Sequence, residues 1–65
     1  MLTLDAKVTL TCVETNRMAT GTIVRIKGNR VDVALDQGGL MVSLHMKKAG
    51  LYVGSQSGLE FVMKI

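Results

Sequence analysis

Apolar side chains recur at every second position in three separate runs of this 65-residue chain, and that period specifies strands rather than amphipathic helices. Val8, Leu10 and Cys12 alternate with Lys7, Thr9 and Thr11. Val31, Val33 and Leu35 alternate with Arg30, Asp32 and Ala34; Leu59, Phe61, Met63 and Ile65 alternate with Glu60, Val62 and Lys64. Glycines fall between the runs, and short strands separated in this way argue for an all-β barrel or sandwich. The expected strands cover residues 6–13, 18–27, 30–36, 40–45, 51–54 and 59–64. Residues 46–49 are the one candidate for a short helical turn. The expected fold is a small five- or six-stranded SH3-like barrel, with residues 1–65 forming a single domain.

Chain length sets how such a barrel must be stabilised. At this size, core burial barely exceeds the entropy of ordering the chain, so small domains commonly add disulfides, a metal or a partner. Cys12 is the lone cysteine, which rules out an internal disulfide, and His45 is the lone histidine, without ligand companions. Neither a metal site nor a cofactor is expected. A compact fold or self-association remains. Mean hydropathy is +0.32, high for a domain with so much surface, so some apolar residues must stay outside. No run approaches the ~20 apolar residues of a membrane-spanning helix. The stretch Met1-Leu2-Thr3-Leu4-Asp5 lacks the basic start of a signal peptide. With the unpaired cysteine, the expectation is a cytoplasmic protein without a membrane partner.

The hairpin around Gly28-Asn29 fixes a register. A two-residue loop opening with glycine favours a type II′ or I′ turn. Counting back from it, Lys27 faces Arg30, Ile26 faces Val31 and Arg25 faces Asp32. Val24, Ile23 and Thr22 then face Val33, Ala34 and Leu35. This places Val24, Ile26, Val31, Val33 and Leu35 on the core face, and Ile23 outside with the Arg25–Asp32 pair.

From Lys7 to Lys48 the chain resembles small SH3-like barrels of the Tudor and KOW type. The likeness rests on Gly21-Thr22-Ile23-Val24-Arg25-Ile26-Lys27 followed by the tight turn and Arg30-Val31-Asp32-Val33-Ala34-Leu35. It implies the barrel fold and, through the KOW type, an RNA partner. Tudor-type readers of methylated side chains use aromatic cages, and one Tyr and one Phe do not build one. Gly21 to Leu35 also resembles PilZ-like domains, which bind a cyclic dinucleotide. The paired arginines of that family are missing, and Lys27-Gly28-Asn29 replaces its Ser-x-x-Gly turn, which implies a degenerate, non-binding version.

Two surfaces are candidates for function. Ile23, Met41 and Val62 each sit opposite a core-facing set on their strands. Gathered together, such residues form an interface for a second copy or another protein. Arg25, Lys27 and Arg30 share the hairpin tip, where an anion would relieve the repulsion of facing cations. With no aromatic platform for bases, nucleic-acid binding there would be electrostatic and salt-sensitive. Lys47-Lys48 would extend the patch if the fold brings it close. Cys12, Ser43 and His45 carry no activating motif, and Cys12 shares the parity of buried residues, so no catalytic residue is expected. Ser55-Gln56-Ser57-Gly58 reads as a turn. The expectation is a non-catalytic binding or assembly module using its apolar outer face, with nucleic-acid phosphate binding at the hairpin tip as the alternative.

Overall fold

The computed structural model describes residues 2–65; Met1, the first residue of the stretch read above for a signal peptide, lies outside them. Six strands follow one another: β1 (Lys7–Cys12), β2 (Arg17–Lys27), β3 (Arg30–Leu35), β4 (Met41–Lys48), β5 (Leu51–Gln56) and β6 (Leu59–Lys64). Each pairs antiparallel with the next. Thr11 opposite Val62 and Cys12 opposite Phe61 join β1 to β6 and close the barrel. A closed six-stranded antiparallel barrel of this size is compatible with the SH3-like class.

The core is built from alternate positions of five strands. Leu10, Ile23, Val31, Val33, Val42 and Leu44 are fully buried, Met63 almost so, and Cys12 and Phe61 complete the cluster. Leu2, Ala6, Val8, Leu35, Tyr52 and Leu59 pack around it, half-buried. Two close backbone approaches make this small radius possible. A Cβ on Gly54 would fall on the carbonyl oxygen of Ser43, and one on Gly21 would lie 2.7 Å from Val33 Cγ1. Only glycine fits at either point.

Nearest the turn, the hairpin register is the expected one: Lys27 faces Arg30, Ile26 faces Val31 and Arg25 faces Asp32. Gly28 has φ +58° and Asn29 does not have positive φ, the pattern of a type II′ turn. Beyond Arg25 the register shifts at a bulge, so Ile23, not Val24, faces Val33, while Thr22 faces Ala34 and Gly21 faces Leu35. The expected faces of Ile23 and Val24 are therefore exchanged. Ile23 is wholly buried and Val24 is 43% exposed. A bulge bends its strand and increases local twist, and here it falls in β2, the longest strand.

The 46–49 segment is not helical. β4 continues from Met46 to Lys48, paired with β5 through a register shift between those two residues. On its other side the Met46 N–H donates to the Asn29 carbonyl at 2.8 Å; Ala49 and Gly50 make the turn to β5. That cross-strand bond gives the segment a partner which sequence periodicity does not reveal.

Candidate functional site

The closing register tilts the strands. Followed around the outside, Lys27 faces Arg30, Arg30 faces His45, His45 faces Val53, Val53 faces Val62, and Val62 faces Thr11. Thr11 faces Met18, so the ring leaves β2 at Lys27 and returns to it nine residues away. Tilt of this kind carries strand ends past the barrel body. The N-terminal segment accompanies β2 only as far as Ile23, where the Asp5 N–H donates to the Ile23 carbonyl and the Ile23 N–H to the Ala6 carbonyl. From there β2 has β3 as its one paired neighbour. Every residue from Val24 to Arg30 is exposed, as is every residue from His45 to Ala49. The ends of β2, β3 and β4 thus form a tongue at one end of the molecule.

The tongue carries Arg25, Lys27 and Arg30 on the outer face, as the sequence predicts, and adds Lys47 and Lys48. The Met46–Asn29 bond brings the end of β4 to the hairpin turn, with Lys47 next along the chain and Lys48 paired with Leu51 on β5. Spatial neighbourhood of this kind was invisible in the chain, because nothing near Lys47 marks Asn29 as its neighbour.

One carboxylate lies at the root of the tongue. Asp32 is 6% exposed, although its side chain belongs to the outer face. Ser43 Oγ donates to its Oδ1 at 2.8 Å, and Arg30 Nε lies 3.4 Å from the same oxygen. The Ser43 hydrogen bond, helped by Arg30 and the nearby Arg25, outweighs burial and holds the Asp32 carboxyl below the ordinary carboxylate range. Five cations against one carboxylate leave the tongue with a surplus of four charges, more than the net +3 of the whole chain. The rest of the molecule is slightly acidic. Lys7 is bound to Asp36 at 3.0 Å, and Thr20 Oγ1 donates to the same carboxylate. Glu14, Asp36 and Glu60 gather towards the opposite end, where Cys12, Met18, Leu35, Leu40, Leu59 and Phe61 line a cleft of about 490 Å³.

The apolar set does not assemble. Ile23 lies inside the barrel and is removed from any surface. Met41 is 50% exposed and faces Ala34 on β3; Val62 is half-buried between Thr11 and Val53. The residues that do meet Val62 on the outside are Val53, with Met18 (75% exposed) beyond Thr11. Val53 was missed because the outward parity of β5 is not readable without the β5–β6 register.

Cys12, Ser43 and His45 also stay apart. Cys12 is buried beside Phe61, Ser43 is committed to Asp32, and His45 is exposed opposite Arg30. In the Ser55–Gly58 segment, Gln56 faces Leu59, and Ser57 and Gly58 both have positive φ, so this is a type I′ hairpin turn. Among the described residues no three His, Cys, Asp or Glu side chains converge as metal ligands, and no helix is long and apolar enough to cross a membrane. No protein-family profile, no curated protein and no solved structure matches the chain, so what identifies it is its architecture, a small closed six-stranded antiparallel β-barrel.

Proposed function

We propose that this protein is a non-catalytic binding module whose basic tongue holds a phosphate-rich polyanion, with a nucleic-acid backbone as its ligand class. The observation that carries this reading is the separation of charge: a surplus of four positive charges on the tongue and a slightly acidic remainder. Such a field draws a polyanion to one end and orients it on approach. Of the five cations, Arg30 alone has a carboxylate within ion-pair distance among the described residues. The likeness of Lys7–Lys48 to KOW-type barrels points the same way. The test is elution from phosphocellulose in a salt gradient. Lys27→Ala with Arg30→Ala should elute at clearly lower salt than the parent, while Arg17→Ala, at the other end, should not move. Elution of the double variant with the parent would refute the reading.

A second reading has its own support. Val53 and Val62 stand side by side on the outer surface with Met18 close by, an apolar strip suited to a second copy of the chain. The strip and the tongue occupy different parts of the ring, so the two readings are compatible.

A further inference from the structure

The tongue offers charge but no place for a base. Phe61, one of the two aromatic residues, is buried in the core. The other, Tyr52, is half-buried against the core, opposite Met46 and Met63. Proteins that hold single strands draw much of their affinity from bases stacked on exposed aromatic rings, and they track the backbone along a groove. Here the cations stand on three paired strand ends. Neighbouring strands lie ~4.8 Å apart, so the charged plate is ~10 Å across. The β2–β3 pairing fixes Arg25, Lys27 and Arg30, and β3–β4 pairing carries on to His45, with Lys47 and Lys48 just beyond it on β4.

A compact plate of this width meets unequal numbers of phosphates on the two forms of nucleic acid. A duplex carries one negative charge per ~1.7 Å of its axis, twice the density of each strand alone. A duplex also hides its bases, so a surface blind to bases forgoes nothing by binding it. An anionic membrane fits less well. The exposed apolar residues of the tongue, Val24, Ile26 and Met46, are each more than half covered, and the one aromatic ring near them, Tyr52 opposite Met46, is half-buried against the core.

We propose that the tongue binds the sugar–phosphate backbone of duplex nucleic acid in preference to single strands, reading charge and shape and not base sequence. The proposal rests on the polyanion reading above and narrows it. Arg25, Lys27, Arg30, Lys47 and Lys48 are the contact residues, each facing phosphate.

The test is fluorescence anisotropy with the intact chain, using two labelled 16-base-pair DNA duplexes of unrelated sequence, their separate strands, inorganic polyphosphate, and vesicles containing phosphatidylserine. Both duplexes should bind alike and at least about fivefold tighter than their strands at low salt. With four or five phosphates neutralised, the slope of log K against log salt should be about −3.6 to −4.5. Lys27→Ala with Arg30→Ala should reduce that slope by about two units, and Lys47→Ala with Lys48→Ala should do the same. All five positions are exposed, and an unchanged thermal melt establishes that each variant is folded. Strands binding as tightly as duplexes would overturn the duplex preference and leave the polyanion reading standing, as would polyphosphate binding without nucleic-acid binding. Vesicles binding more tightly than duplexes would assign the tongue to lipid and overturn the proposal. No binding to any of the four ligands would overturn proposal and reading together.

Discussion

Ser43 and Arg30 converge on a single oxygen of Asp32, at 2.8 Å and 3.4 Å, from the adjacent strand and from two residues back along the same strand. Asp32 is the buried charge among the described residues, and the hydrogen bond from Ser43 joins β3 to β4 where the tongue begins. The same carboxylate tempers Arg30, so it acts on both stability and surface charge.

Acid should therefore loosen the root of the tongue. The folded-state pKa of Asp32 is depressed, so its stabilisation is complete above the unfolded-state value near ~3.9 and is lost as pH falls through the lower folded-state value. Asp36, held down by Lys7 and Thr20, has the same sign and adds to the acid limb. Asp32→Asn should cost about 1–2 kcal/mol at pH 7 and flatten the loss of stability below pH 4 without abolishing it. Urea unfolding from pH 7 to pH 2.5 measures both; parallel curves for parent and variant would show that Asp32 contributes nothing to the acid limb.

Adjacent residues at the β2 bulge should differ sharply. Ile23 is fully buried, so Ile23→Ala should cost about 2–5 kcal/mol, and Ile23→Lys should prevent folding. Val24, 43% exposed, should tolerate alanine within about 0.5–1 kcal/mol. Equal costs at the two positions in chemical denaturation would mean that the register shift lies elsewhere.

That pair also marks where the sequence stops being informative. The alternation of Val31 and Val33, and of Phe61 and Met63, identifies strands because each apolar residue needs a wall on one side and water on the other. The Gly28-Asn29 turn fixes three pairs of register because turn geometry is local. The bulge at Val24 answers to ring closure, a condition on all six strands together, and no glycine or proline announces it. For the same reason Arg25, Lys27 and Arg30 were legible as a cluster, whereas Lys47 and Lys48 joined them only through the Met46–Asn29 bond. The apolar outer set failed at Ile23 because one inserted residue reverses the parity of everything beyond it.

Two glycines should separate close approach from turn conformation. Gly54 lies where β5 crosses close to β4, and a methyl group there meets the Ser43 carbonyl and lies 3.0 Å from Leu44 Cδ2. Backbone cannot swing aside, so Gly54→Ala should cost about 3 kcal/mol or more, at or beyond the upper range for overpacking. Gly58 has φ +79° with open space around it, and Gly58→Ala should cost only about 1–2 kcal/mol, from its left-handed conformation. Thermal melts of the two variants rank them, and the reverse order would contradict the packing at Gly54.

The apolar strip makes a prediction independent of the tongue. Val62 stands between Val53 and Thr11 on the outside of the barrel, with Met18 exposed beyond, whereas Met41 lies apart, facing Ala34. If the strip joins two copies, light scattering after size exclusion should give a mass of at least two subunits at high protein concentration. Val62→Lys, whose long side chain can reach solvent from a half-buried position, should return the chain to a monomer with its β-sheet signal intact. Met41→Lys should leave the mass of the assembly unchanged. A monomeric parent at the highest soluble concentration would remove self-association through the strip. An assembly broken by Met41→Lys and not by Val62→Lys would move the contact to the β3–β4 side of the barrel.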